Sequence, residues 1–272
     1  MNGKTRHCPA TITRWLTVFC LVLANVAAAE NFPQGRWVDL SHDFADDTIY
    51  WPTADKFAKT TVFAGETDKG YYYSAYNLAG AEHGGTHVDA PVHFSRDHLS
   101  VDRIPLQQLI GPGVVIRVAD RIGEDRNYLI TVADIERWEA RHGNIAKGSI
   151  VLFDTGTARF WPDPEKYMGT AERGEQAVAK LNFPGLSPEA AQFLVEKREI
   201  KAVGLDTPSI DYGASRLFET HRTLFAKNIP ALENVANLTD LPETGFTLIA
   251  LPMKIRGGSG GPTRIVAFVP EK

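Results

Sequence analysis

Between residues 83 and 98 the chain places four of its eight histidines, three of them in His83-Gly-Gly-Thr-His87-Val-Asp89-Ala-Pro91-Val-His93-Phe94. Any fold open to this sequence must gather those side chains and give each a partner. An imidazole or carboxylate taken out of water without one is costly, and an apolar core has no use for several at once. A divalent cation supplies such a partner. The local chain limits how they gather. A four-residue step from His83 to His87 would suit a helical turn, but Gly84 and Gly85 favour a loop or bent strand. Val88 separates His87 from Asp89, which sets both on one side of an extended segment. Pro91 fixes the turn that brings His93 back towards the cluster. His83, His87 and Asp89 form a nitrogen, nitrogen, oxygen set with coordination positions to spare, the pattern of a catalytic zinc-like centre. Manganese and iron accept the same donors.

The first 29 residues read as a cleaved secretory signal. Lys4, Arg6 and Arg14 make a basic start, an apolar run spans 15–26, and Ala27, Ala28 and Ala29 offer the small residues a signal peptidase needs. That run is too short for a comfortable membrane span, and Val18-Phe19 ahead of Cys20 argues against a lipoprotein. A secreted or periplasmic protein of residues 30–272 is therefore expected. Both cysteines, Cys8 and Cys20, would leave with the signal, so a mature metal site must use histidine and carboxylate. Loss of the three basic residues takes the net charge from −4 to −7. No Lys/Arg run points to nucleic acid or an anionic membrane, which leaves a small molecule as the expected partner.

Residues 30–272 contain no repeat, low-complexity tract or long polar linker, so one domain is expected. Short runs rich in Val, Ile, Tyr and Phe predict strands at 36–42, 60–64, 71–78, 113–118, 149–154, 202–206, 247–251 and 265–269. Helices are predicted over 131–142, with Thr131 as cap and Asp134 in the first turn, and from Ser187-Pro188 to about Arg198. Strands first and strand–helix alternation later give an α/β class of mixed sheets with flanking helices. The glycine-rich stretch 254–262 lacks the Gly-Lys-Ser/Thr ending of a phosphate loop and joins two strands. It reads as a flexible connection at the rim of the site. No Gly-x-Ser-x-Gly elbow appears, which disfavours a serine hydrolase.

The spacing His83-x-x-x-His87-x-Asp89-x-Pro91-x-His93-Phe94 resembles the signature of the metal-dependent cyclase family, whose members include kynurenine formamidase-like and isatin hydrolase-like enzymes. Other stretches are similar in the same order: Trp51-Pro52, Gly204-Leu-Asp206-Thr-Pro208-Ser209, His221 through Glu233-Asn234, and Leu251 through the glycine-rich stretch. The resemblance implies a swivelling β/β/α domain in a homodimer or higher oligomer, sometimes with an aromatic donated across the interface. It further implies His83, His87 and Asp89 on a first metal, Mn2+ or Zn2+. Asp89 would bridge to a second ion held by His221 and Glu233, giving one or two ions per chain, and His93 would serve as acid/base. The reaction so implied is hydrolysis of a C–N bond in a linear or cyclic amide, with an aromatic substrate of the N-formylkynurenine or isatin type. A lactone or cyclic-imide hydrolase, or an exported metal-dependent binding protein without turnover, are the alternatives. Trp51, Phe63, Tyr72, Phe94 and Phe160 are candidate aromatic walls, with Trp51 favoured by its family position. Ser209 and Arg256 are candidate polar contacts.

Overall fold

Among the described residues twelve strands account for most of the regular structure, and the ligand-bearing segment is one of them. A computed structural model of the chain describes residues 34–271; the expected signal segment lies outside the described residues. In chain order the strands are β1 (Gly35–Asp39), β2 (Ala58–Glu66), β3 (Tyr72–Ala79), β4 (His87–Asp89), β5 (Ile110–Arg117), β6 (Leu129–Ile130), β7 (Ile150–Asp154), β8 (Gly185–Leu186), β9 (Ala202–Leu205), β10 (Ala231–Glu233), β11 (Phe246–Pro252) and β12 (Gly260–Pro270). Eight of them form one sheet in the order β1-β12-β11-β5-β7-β9-β10-β4. The long strand β12 also pairs with β4 through Gly260–Pro262, so the sheet closes on itself. The middle strands β5, β7 and β9 run parallel, as predicted strand–helix alternation requires, while β11 and β12 meet their neighbours antiparallel.

Alternation along each strand divides the core in two. Val88, Val115, Leu152, Leu232, Leu248 and Ile265 pack together on the inner side of the closed sheet. Val114, Ile116, Val151, Phe153, Val203 and Leu205 face the other way, onto Ile135 and Trp138 of the helix Val132–His142, Leu194 of the helix Pro188–Arg198 and Leu224 of the helix Glu219–Phe225. Both longer helices begin as the sequence predicts. The Thr131 amide and hydroxyl each donate to Asp134 Oδ2 at 2.9 Å, and Ser187 Oγ accepts the Ala190 amide at 3.1 Å, with Pro188 in the first turn.

The placement of the site follows from strand parity. Val88 and Leu232 point into the closed sheet, so their neighbours His87, Asp89 and Glu233 point out, towards the helix that carries His221. β10 lies against β4 with Glu233 opposite His87. One glycine on the far side of the site shows how closely this region packs. A Cβ on Gly185 would sit 2.1 Å from the Tyr212 amide nitrogen and 2.4 Å from the Asp211 carbonyl carbon. Backbone cannot yield as a side chain can. Gly185→Ala is therefore expected to destabilise the fold by about 2–3 kcal/mol, the upper end for overpacking, read as a lowered midpoint in urea unfolding at constant slope.

Candidate metal centre

His83, His87, Asp89, His93, His221 and Glu233 all line one cavity of about 300 Å³. Asp89 is its centre. Its Oδ1 lies 2.6 Å from His83 Nδ1 and 3.0 Å from His87 Nε2, and its Oδ2 lies 3.2 Å from His221 Nε2. Glu233 closes the group from β10, with Oε2 3.4 Å from His87 Nε2 and Oε1 3.2 Å from His221 Nε2. Both carboxylates, His87 and His221 are buried, whereas His83 is part-exposed and His93 opens to the cavity.

The other nitrogen of each imidazole settles where its proton sits. His87 Nδ1 donates to the Gly85 carbonyl at 2.9 Å. His221 Nδ1 donates to Asp211 Oδ2 at 2.6 Å, and Asp211 also accepts the Thr220 and His221 amides. Ser259 gives its one hydroxyl proton to Glu82 Oε2 at 2.6 Å, so it must accept from His83 Nε2 at 2.8 Å. Each neutral ring therefore aims an unprotonated nitrogen at Asp89. Lone pairs facing a carboxylate repel, and His87 Nε2 is buried with no well-formed hydrogen bond among the described residues. Only added protons or cations reconcile such a set.

The titration directions say the same. Burial pulls the His87 ring down, but Asp89 and the charge of Glu233 overcome it and push the pKa up to about 9. His221, also penalised by burial, is held well above its ordinary value by Asp211, Asp89 and Glu233. Burial and the nearby Asp89 charge raise Glu233. Without an ion the cluster must hold protons where a cation would otherwise sit. The donors fit a divalent metal: ligand atoms of His87, Asp89 and Glu233 lie within 4.8 Å of one another, as do those of His83, Asp89 and His93. Asp89 belongs to both groups. Asp89 Oδ1 faces His83 and His87 and its Oδ2 faces His221, which also meets Glu233, while the His83 and His93 rings stack at 3.9 Å.

The cavity wall is aromatic on one side, with Trp51, Phe94 and Phe218, and Ser209 lies on it as well. Of the other candidate walls, Phe63 and Tyr72 stand exposed on the β2–β3 hairpin, and Phe160 faces a separate cavity. Arg256 is exposed and does not line the cavity. The glycine-rich stretch is tied down rather than free. Ser259 binds Glu82, and its carbonyl accepts the Ala90 amide. Gly260 pairs with Asp89, where a Cβ would come within 2.6 Å of the His83 ring. That glycine gives the imidazole its room.

Four contributors escape sequence reasoning: Asp211, Ser259, Asn234 and Phe218. Asn234 follows Glu233 and clamps the turn ahead of His87 by donating to the Gly85 carbonyl at 2.7 Å. Asp211 lies ten residues before His221 with no spacing rule to join them; its one signal is proximity to Ser209. Carboxylates behind metal-binding imidazoles typically carry about 10- to 100-fold in affinity. Asp211→Asn is expected to weaken metal binding by that factor, measured by titrating a chelator against the loaded protein.

The comparisons with known proteins agree with one another. The Cyclase family profile matches residues 38–212. An isatin hydrolase from Roseibium aggregatum is 33% identical over 198 residues, covering 70% of this chain and 73% of that protein. A kynurenine formamidase from Bacillus anthracis is 28% identical over 233 residues, 85% of this chain and 96% of that one. Among solved structures, isatin hydrolase A from Labrenzia aggregata bound to benzyl benzoate superposes with a TM-score of 0.77 at 33% identity, over 87% of this chain and 94% of that chain. An isatin hydrolase bound to the product analogue thioisatinate gives 0.79 at 28% identity, over 88% and 94%.

Proposed function

This chain belongs to the cyclase family of metal-dependent hydrolases, and we propose that it cleaves the C–N bond of an aromatic amide, linear or cyclic, at the Asp89 centre. One observation carries the reading: three imidazoles, each with one nitrogen bonded to a supporting group, turn the other towards one buried carboxylate in an aromatic-walled cavity. Asp89 would be the shared ligand, with His83, His87, His221 and Glu233 completing the set for one or two ions of Mn2+ or Zn2+. Such an ion, when bound, makes a water acidic near neutral pH and polarises a carbonyl oxygen. The chain's own groups do the rest. Asp211, Gly85 and Ser259 fix the ring orientations. Trp51 and Phe94 hold the substrate ring, and Ser209 offers a polar contact beside it. An imidazole nitrogen of His93 takes the proton from the attacking water and returns it to the leaving nitrogen.

The test is turnover by protein loaded with Mn2+ or Zn2+, offered N-formylkynurenine, isatin and a panel of aryl lactones. Hydrolysis of either amide supports the reading. Turnover of lactones alone, or tight binding with no turnover, overturns it.

Two further properties belong to the proposal. The protein is exported, its mature N-terminus following Ala29; N-terminal sequencing of the exported form checks this. It also assembles with a second copy through the β2–β3 hairpin. Seven of the twelve large apolar side chains exposed among the described residues lie there: Val62, Phe63, Tyr71, Tyr72, Tyr73, Tyr76 and Leu78. A lone two-stranded hairpin with such surface is stable only when covered.

A further inference from the structure

Phe218 adopts a backbone conformation that its side chain disfavours. Its φ of 49° and ψ of 46° lie in the left-handed region, where any Cβ crowds the following carbonyl. It also stands at the N-cap of the helix Glu219–Phe225, a position usually held by Ser, Thr, Asp or Asn, and it supplies no side-chain cap. The sequence thus forgoes both a capping hydrogen bond and an unstrained residue here. Strained positions persist where the surroundings hold them and cluster at working sites.

The hold is visible. The Phe218 amide donates to Ser215 Oγ at 3.2 Å, and Ser215 Oγ donates to Asp211 Oδ1 at 3.2 Å. The Phe218 carbonyl accepts the Arg222 amide at 3.0 Å, the first bond of the helix. This turn does not bury the ring. Phe218 is absent from the packed apolar clusters of the core, while Leu217 beside it is exposed. What the turn does is deliver the ring to the cavity wall. Its centroid lies 5.0 Å from Phe94, 6.4 Å from Trp51 and 6.1 Å from the His221 ring. The Trp51 and Phe218 planes are inclined at 58°, so the three aromatics make a corner rather than a parallel slot. Rings meet favourably edge-to-face at such separations, and a flat guest in the corner touches one wall by its face and another by its edge. A saturated ring is thicker and has neither the positive edge nor the negative face.

We propose that Phe218 is the specificity-determining residue of the cavity, selecting flat aromatic substrates over saturated ones of equal charge. The proposal deepens the amide-hydrolase reading and rests on it, but its experiment uses equilibrium binding, which is independent of turnover. The metal-loaded protein is titrated by calorimetry with thioisatinate and, separately, with cyclohexanecarboxylate. The wild-type chain should prefer the aromatic anion. Phe218→Leu should weaken thioisatinate about tenfold and leave cyclohexanecarboxylate within twofold. Phe218→Tyr should keep the preference. Phe218→Gly, which relieves the left-handed strain while removing the ring, should behave as Phe218→Leu does. Metal content, read on the same samples, should not change.

Three results would overturn the proposal: a wild-type protein with no preference between the two anions, an equal loss for both in Phe218→Leu, or loss of metal from Phe218→Gly and Phe218→Leu together. The last would make the turn a support for His221 instead. Failure of isatin and N-formylkynurenine to turn over, with the binding preference intact, would count against the amide reaction and not against Phe218.

Discussion

Asp89→Ala is expected to purify with less than about a tenth of the metal held by the wild-type protein, because one side chain faces three of the imidazoles in the site. Its two oxygens face His83 Nδ1, His87 Nε2 and His221 Nε2 at 2.6–3.2 Å. Removing it leaves His87 and His221 against Glu233 and takes from His83 its carboxylate, so one carboxylate remains where the charge of a divalent ion calls for two. Elemental analysis after dialysis reads the outcome, and Asp89→Asn separates charge from shape. Asn fills the same volume and accepts hydrogen bonds but carries no charge, so it should lose the ion as well. Metal retained at wild-type stoichiometry in either variant would remove Asp89 from the centre. The pH dependence follows from the same geometry. In the ion-free fold the His87 pKa stands at about 9, above its ordinary 6.5. The stability that this proton contributes is complete below pH 6.5 and is lost as the pH rises through about 9. Protons and metal compete for the same nitrogens, so metal affinity should climb as the pH rises towards about 9, and proton release should accompany uptake.

How far this was legible in the sequence depends on the kind of residue. The eight strands predicted from Val, Ile, Tyr and Phe content all exist, with ends moved by a few residues, because side-chain shape and burial set them locally. β4 is read from the sequence only as an extended segment, and β10 is not predicted at all. They are three residues each, and His87, Asp89 and Glu233 give them no β-rich signature. Their extended form comes from pairing with each other and with Gly260–Pro262, partners far away in sequence. The ligand set was readable because spacing and residue type survive in one dimension. Its supports were not. Asp211 reaches His221, and Ser259 reaches His83, only through the closure of the sheet. The glycine-rich stretch carried an ambiguous signal for the same reason: glycine marks mobility in a loop and close approach in a strand, and Gly260 is the second kind. Phe218 gave no signal, since nothing in the residue name announces a positive φ.

His93→Ala is expected to keep its metal and lose turnover by about 10²- to 10⁴-fold, the usual range for a positioned acid/base. Two roles compete for this ring. It lies near enough to His83 and Asp89 to be a ligand, yet it differs from the other histidines of the cavity in its setting. His87 and His221 are buried, with one nitrogen tied to protein, whereas His93 opens to the cavity and no group among the described residues hydrogen-bonds either of its nitrogens. A ring stacked on His83 and set edge-on against Phe94, with no hydrogen bond to its nitrogens among the described residues, is held in place but left free to exchange a proton. Burial of its inner side, aided by the nearby histidines and opposed by Asp89, brings its pKa down to about 4. It is neutral at pH 7 and can accept a proton, and activity that needs the neutral ring falls only as the pH drops below the ordinary histidine range. The acid limb of kcat/KM should therefore lie well under 6.5 in the wild-type enzyme. Added imidazole should restore part of the His93→Ala rate, since a free base can enter the open side. Metal content decides between the roles: if the variant loses its ion in step with its activity, His93 is a ligand, and the proton must be carried by another group of the cavity.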